Sequence, residues 1–524
     1  MAEPPASAKA SGAPAAERWR PVILVVLLLA ALSTAPYVRA FLSPPAGFAF
    51  FGFFWFDDDA YNYLTFVQQA EAGAVVFHNK LVLEDHPAVL VNLEWWTVGV
   101  LSRLLGGHPL AAYRVFALAA LVALVLGIDH WLVRAGLPAS HRLPALLLVT
   151  TGAGLGGIRF ALGAPIARCL DLITGSFPIL EILSNPHFVA GTALLLWALR
   201  AHAGGTGVRS FVAAAALGTA LGFTRPYDLV ILVAIRTVVV MATEPVRTWW
   251  RHAAAMAALL PVVACNYWMF YRQPAFAFYT RAEYVVPTRT DLAWTLGPAA
   301  LLAAVSLLAR PAAGWSNWTS AGIARLHLAV WCAIAAGVLV LRPVHFSLQF
   351  LVGVGLPLLS LAALGLGRRA VAYTMAAAVA LSGTALTAVW LMLQPTLAAY
   401  VPAERIALAW ELRRDCRHGD RLVAPADIGL WAGGYTACRA FTSHAIEPAH
   451  DERAEAIRMF YEQGDPPGRA AFLERVCATH LVLPADQPPE NWVDGRIGLR
   501  QVAVAGSAGR RLAAYRITSS CTAR

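Results

Sequence analysis

Pro21-Val22-Ile23-Leu24-Val25-Val26-Leu27-Leu28-Leu29 opens an apolar run that lasts to about Tyr37, and Phe54-Trp55-Phe56-Asp57-Asp58-Asp59-Ala60-Tyr61 follows it. The first stretch approaches the ~20 apolar residues that carry a helix across a bilayer. The second sets three carboxylates inside an aromatic collar. Aromatic rings favour the membrane–water interface, and carboxylates clustered there are costly unless something uses them. The two stretches together predict a helix that crosses a membrane and delivers an acidic knot to the far surface.

The rest of the chain agrees. Its 524 residues are 58% hydrophobic and 14% charged, with a mean hydropathy of +0.58. A soluble chain carries roughly 25% charged residues. The fold class predicted is therefore an α-helical polytopic membrane protein of about eleven spans: 21–41, 110–133, 142–159, 188–202, 210–224, 228–243, 252–271, 292–309, 325–341, 348–366 and 370–393. The net charge of +10 does not point to nucleic acid, because the arginines lie singly between apolar segments, beside lipid headgroups.

Residues 1–20 read as a disordered, Ala/Pro/Ser-rich cytoplasmic N-terminus. Arg18-Trp19-Arg20, the apolar run and Val38-Arg39-Ala40 imitate a signal peptide. The length of the run and the acidic motif behind it favour a retained helix. With the N-terminus inside, short loops holding Arg134 and Arg142, Arg200 and Arg209, Arg247 and Arg251, Arg310 and Arg325, and Arg368 and Arg369 face the cytoplasm, as the positive-inside rule asks. Residues 21–394 form the transmembrane domain, with a first outer loop at 43–109. In that loop Ala60–Ala72 reads as a helix stopped by Gly73, and Pro87–Leu105 as an amphipathic helix lying in the interface.

Residues 395–524 read as a small extracytoplasmic α/β domain. Ala403–Arg414, Ala454–Tyr461 and Ala470–Ala478 have helical spacing. Arg421–Pro425 and His480–Pro484 read as buried strands. Its Cys416, Cys438, Cys477 and Cys521 can form two disulfides in three pairings. Cys169, Cys265 and Cys332 lie in or near apolar segments and read as inert.

Asp57, Asp58 and Asp59 precede a helix. One aspartate suffices to cap it, and three in a row repel one another. A carboxylate here can take a proton from an attacking hydroxyl, and Asp57-x-Asp59 can instead hold a divalent cation. No motif demands any other cofactor. His187, in Asn185-Pro186-His187-Phe188, reads as a cap or a ligand. Arg225-Pro226-Tyr227-Asp228 offers either a loop ion pair or a grip on a lipid phosphate. Arg342 and His345 form a second cationic outer loop, whose plainer role is headgroup anchoring. Arg236, inside a short span, snorkels or faces the bundle interior. No G-x-S-x-G, P-loop or H-E-x-x-H motif is present.

Asp57-Asp58-Asp59-Ala60-Tyr61-Asn62-Tyr63-Leu64, Gln69-Ala70-Glu71-Ala72-Gly73, His86-Pro87 and Asn92-Leu93-Glu94-Trp95-Trp96 resemble the first outer loop of bacterial GT-C glycosyltransferases, of the protein mannosyltransferase and aminoarabinose transferase type. The resemblance covers the architecture of the whole chain, but its motif is short. It implies a hexosyl- or pentosyltransferase that moves a sugar from a polyprenyl-phosphate donor to a lipid, glycan or protein hydroxyl, with inversion. It places the enzyme at the outer face of a bacterial inner membrane, with the C-terminal domain periplasmic. Asp58 aligns best with the usual base, with Asp57 and Asp59 as its neighbours. Arg225, Arg342 and His345 would hold the departing phosphate. Tyr61, His86, Asn92, Glu94, His187, Tyr227 and Asp228 would line the sugar or acceptor site. Ser443-His444-Ala445 resembles an outer-domain segment of such proteins, but it departs from their Gly-His-Trp pattern at Ser443 and Ala445, which weakens the role carried to His444. A transporter or flippase for a lipid-linked glycan is the alternative. It would need openings on both faces and the inverted repeat of its kind, and no such repeat is seen.

Overall fold

The computed structural model describes residues 15–55, 57–203, 207–281, 287–308, 319–341, 347–366, 370–394, 399–442, 449–506 and 511–518, with Asp57 and Asp58 described by their backbone. Arg342, His345, His444 and Cys521 lie outside the described residues.

The chain begins with the long apolar helix α1 (Ala15–Leu42) and the short strand β1 (Phe48–Phe50). Helices α2 (Asp57–Glu71) and α3 (Leu93–Leu104) follow in the first loop, and α4 (Pro109–Arg134) re-enters the bundle. The aspartates are the first turn of α2 rather than a loop before it. Carboxylates are favoured there, where backbone N–H groups lack helical partners. Gly73, at φ +105°, ends this helical segment as expected.

Helices α5 (Arg142–Thr151), α6 (Gly156–Ala161), α7 (Leu170–Ile173), α8 (Pro178–Ser184), α9 (Pro186–Ala203), α10 (Val208–Thr224) and α11 (Pro226–Thr243) come next. Then come α12 (Trp249–Ala257), α13 (Leu260–Tyr267), α14 (Pro274–Ala277), α15 (Arg289–Leu308), α16 (Ser320–Leu341), α17 (Gly355–Leu366), α18 (Val371–Leu381) and α19 (Gly383–Leu393). Each of the eleven expected spans contains helix among the described residues. Among the described residues, seven segments are long and apolar enough to cross a bilayer unaided: α1, α4, α11, α15, α16, Leu348–Leu366 and Val371–Leu393. Val246–Ala257 and Leu260–Arg272 make an eighth only as a pair bent by 42°. Of the remaining three, α10 is short, and α9 is diluted by His187, Arg200 and His202.

The third, expected as one helix over 142–159, is broken. Between α5 and α6 the chain is rich in glycine, and Asp171 fills the gap. Its carboxylate accepts the Gly156 N–H at 2.9 Å and the Thr384 hydroxyl at 3.2 Å. A Cβ on Gly156 would stand 1.8 Å from Asp171 Oδ1, and one on Gly154 would stand 2.1 Å from the Thr295 carbonyl. The two halves still run beside α18 and α19, held by Ala153 N–H to Leu381 O and Gly157 N–H to Thr384 Oγ1, each 2.9 Å.

Lipid offers no hydrophobic drive between helices, so packing and hydrogen bonds must bind them. Trp131 donates its indole N–H from α4 to Leu196 O on α9, and Trp197 donates back to Ala123 O, both at 3.0 Å.

Beyond the bundle stand β2 (Tyr400–Pro402), α20 (Ala403–Leu412), β3 (Arg421–Val423), α21 (Ala426–Tyr435), β4 (Arg439–Ala440), α22 (His450–Glu462), α23 (Pro466–Arg475), β5 (His480–Pro484), β6 (Leu499–Ala505) and β7 (Leu512–Ile517). The sheet order is β4-β3-β5-β7-β6, parallel among the first three and antiparallel beyond. Period-two alternation sends Leu422 and Val482 to α20 and α21, and Val423, Leu481 and Leu483 to α22 and α23. Both faces are thus covered, as a parallel sheet requires. Of the expected disulfides, Cys416–Cys438 is formed, while Cys477 carries a free thiol.

The domain is fastened to the first loop. Strand β1 pairs antiparallel with β2, Ala49 opposite Val401. Lys80 Nζ donates to Gln68 Oε1 at 3.0 Å, to Gly433 O at 3.1 Å and to Thr436 O. Arg413 pairs with Glu71, and Arg453 with Glu84 at 2.9 Å.

Candidate active site

The amino end of α2 brings Asp57, Asp58 and Asp59 to one end of the bundle. Asp59 is partly buried there. The next residues fix the helix. Tyr61 is buried, its hydroxyl donates to Phe51 O at 3.0 Å, and its ring lies 4.8 Å from that of Trp431. It therefore anchors α2 to the C-terminal domain instead of facing a ligand. One turn past the aspartates, Asn62 donates to the Tyr279 hydroxyl at 2.8 Å, while its buried Oδ1 has no hydrogen-bond partner.

The opposite side of α2 meets α3. Asn92 caps α3 by accepting the Trp95 N–H at 3.0 Å, and it donates to Thr224 O at 3.3 Å. Its amide is thus occupied in holding α3 to the end of α10, not in binding sugar. Trp95 carries the Tyr63 ring on one face at 4.3 Å and lies parallel to Tyr113 at 6.1 Å. His187, from the start of α9, sits edge-on to Tyr63 at 5.2 Å and to Trp95 at 5.9 Å, and its Nδ1 has no hydrogen-bond partner.

Beside this stack lies Glu94. It is 1% exposed, and neither carboxylate oxygen has a hydrogen-bond partner. Burial holds its carboxyl well above the usual carboxylate range and so favours the neutral acid. The Tyr113 phenol lies within electrostatic reach of both Glu94 and Asp59, and it donates to Asn185 Oδ1 at 2.7 Å. The site thus joins an acidic helix start, an aromatic platform and a buried acid.

Of the two roles the sequence offers Arg225, the ion pair is formed. Arg225 is buried and pairs with Asp228 at 2.5 Å. It also donates to the Gln349 carbonyl at 2.7 Å. The loop ion pair, not the phosphate grip, is what the geometry shows, because the charge is neutralised inside the protein. Glu181 is wholly buried nearby with no hydrogen-bond partner for either oxygen. Tyr227 is half-buried, its ring edge-on to Phe350 at 6.4 Å.

His86 lies apart from the aspartates. Its Nδ1–H donates to Glu84 O at 2.8 Å, and its Nε2 accepts the Asn79 N–H at 3.0 Å. Both nitrogens shape the loop, which packs near Gln68 and Gln69, about 15 Å along α2 from its start at 1.5 Å per residue. The residues that sequence reading missed are Tyr63, Tyr113 and Glu181. Only Tyr63 carried a signal, as a member of the apolar face of α2.

Among the described residues, the one group with metal-ligand spacing is Cys416, Cys438 and His480, where the two sulfurs are already bonded to each other.

No protein-family model and no curated protein sequence matches the chain. Solved structures match in fold. ArnT from Cupriavidus metallidurans, bound to undecaprenyl phosphate, superposes with a TM-score of 0.53 at 14% identity, over 95% of this chain and 98% of that one. The arabinofuranosyltransferase AftD from Mycobacteria gives 0.51 at 18% identity over 95% of this chain. The chain spans 40% of the length of AftD. The protein therefore has the GT-C fold, that of polytopic membrane glycosyltransferases.

Proposed function

We propose that this protein is a membrane glycosyltransferase that takes a sugar from a polyprenyl-phosphate donor and passes it, with inversion, to an acceptor hydroxyl at the outer face of a bacterial inner membrane. The observation that carries the reading is the acidic first turn of α2, set beside the Tyr63–Trp95–His187 platform in a GT-C fold. The structure of ArnT with undecaprenyl phosphate supports the donor class.

In the reaction, the acceptor oxygen attacks the anomeric carbon as Asp58 removes its proton. The bond from that carbon to the phosphate oxygen breaks, and its electron pair leaves with the polyprenyl phosphate. Asp57 and Asp59 help the base or replace it. The aromatic platform gives the sugar an apolar face to lie on, and Glu94, whose neutral form burial favours, offers a hydrogen-bond donor to a sugar oxygen. Arg342 and His345 meet the charge that builds on the leaving phosphate, since donors fixed where charge develops lower the barrier most. The donor arrives through the bilayer, so no soluble nucleotide-sugar fold is needed.

The test is sugar transfer in native membranes from a panel of radiolabelled polyprenyl-phosphate sugars. Asp58→Asn should lower transfer by at least about a hundredfold, the usual contribution of a general base, while donor binding persists. Unchanged transfer would move the role to Asp57 or Asp59, tested by the same substitution. If the unaltered protein binds donors but transfers none, the glycosyltransferase reading falls and the flippase alternative takes its place.

A further inference from the structure

At the end of the bundle away from α2, α9, α10 and α12 line an open cavity of about 460 Å³. Its lining includes His202, Ser210, Phe211, Trp250, Arg251 and His252. The positive-inside reading puts this end at the cytoplasmic surface.

Behind the cavity wall lies Arg236 of α11, 4% exposed. Its guanidinium meets two imidazoles: His327 Nε2 at 2.9 Å and His252 Nδ1 at 3.3 Å. Arginine only donates, so both ring nitrogens must be acceptors. His327 then donates from Nδ1 to Ile323 O at 2.8 Å, which completes a neutral ring. His252 is left with a proton on Nε2, and that atom has no partner. Arg236 Nε also lacks an acceptor, and Nε2 of His202, which is 5% exposed and lines the cavity, has no partner of either kind. No carboxylate pairs with Arg236 among the described residues. Glu244 is near enough to be felt but makes no ion pair. A buried cation and a set of unfilled donors together call for an anion.

The rim specifies the kind of anion. Val208, Phe211 and Trp250 are exposed, on helices whose outward faces are apolar. An inorganic ion has no use for an apolar mouth, whereas an amphiphile fills both parts at once. Basic pockets between membrane helices at the cytoplasmic surface suit anionic headgroups. We propose that this cavity binds the phosphate of an anionic phospholipid from the leaflet opposite the aspartates, with His252 Nε2–H donating to a phosphate oxygen and the charge of Arg236 one imidazole behind.

The experiment uses the full-length protein, delipidated in a nonionic detergent and titrated with phosphatidylglycerol brominated on its acyl chains. Trp250 quenching is the signal present in the unaltered protein and missing from Trp250→Phe. Saturable quenching is expected, with brominated phosphatidylcholine binding about tenfold more weakly. His252→Ala should weaken phosphatidylglycerol binding about tenfold, as expected for one lost hydrogen bond to a charged group. His202→Gln is the second variant, and melting curves confirm that each is folded. Equal quenching by the two lipids, or full affinity in both folded variants, overturns the proposal. So does displacement of phosphatidylglycerol by millimolar inorganic phosphate, which would make the site one for a small free anion.

Discussion

Tyr63 lies flat on Trp95, with ring centroids 4.3 Å apart and planes 15° from parallel. This contact joins α2 to α3 and so fixes the aspartates of one helix relative to Glu94 of the other. Trp95 is almost wholly buried. Trp95→Ala should destabilise the protein by about 3–5 kcal/mol, as other buried aromatic deletions do. A double-mutant cycle with Tyr63→Leu and Trp95→Leu should return a coupling of about 1 kcal/mol. Thermal denaturation in detergent measures both. Zero coupling would mean that the rings merely adjoin.

Glu94 makes stability depend on pH. Burial raises its carboxyl well above the usual range. Above about pH 4.3, the ordinary glutamate value, the unfolded chain has lost this proton while the native chain keeps it. Stability therefore falls as pH rises, until the raised native value is passed. Glu94→Gln removes the effect. Its melting temperature should match the unaltered protein near pH 4.5 and exceed it as the pH is raised from there. Parallel curves for the two proteins would show that Glu94 is ionised and paired when folded.

Arg225 and Asp228 should behave as a structural pair. Arg225→Met leaves a buried carboxylate without its cation and should cost about 3–5 kcal/mol. Adding Asp228→Asn should recover most of that loss, since the uncompensated charge is then gone. Donor affinity of the folded fraction should stay within about threefold, roughly 0.7 kcal/mol. If donor binding collapses in a fully stable Arg225→Met protein, the guanidinium grips the phosphate after all.

Gly156 tests the broken helix. A methyl group there has nowhere to go, because Asp171 Oδ1 occupies its place. Gly156→Ala should cost about 3 kcal/mol or more, at the upper end of overpacking penalties. Shortening Asp171 to alanine in the same chain should relieve part of it. A Gly156→Ala protein with an unchanged denaturation midpoint would mean that α5 and α6 do not close on Asp171 as described.

Much of the architecture was written locally. Each membrane helix owes its existence to a run of apolar side chains, a property that needs no partner to be read. The acidic motif, the stop at Gly73 and the strand at His480–Pro484 are local in the same way. The i,i+3 spacing of Arg225 and Asp228 even offered their pairing as one of two roles. Strands β6 and β7 and helix α21 escaped because alanine in all three, and glycine in α21, dilute the large apolar residues, so their apolar period is faint.

Local patterning alone established that this chain crosses a membrane many times and presents three aspartates beside an interfacial aromatic cluster. What the remaining polar groups do was settled by folding. A carboxylate, guanidinium or imidazole has the same chemistry in every loop, and its role depends on whether folding brings a counter-charge, a hydrogen-bond partner or neither. Folding gave Arg225 its Asp228, filled the hydrogen bonds of His86 and Tyr61 internally, and left Glu94 and the Arg236–His252 pair buried with unfilled hydrogen bonds. Those unfilled groups were invisible in the sequence because the protein atoms that desolvate them come from distant helices.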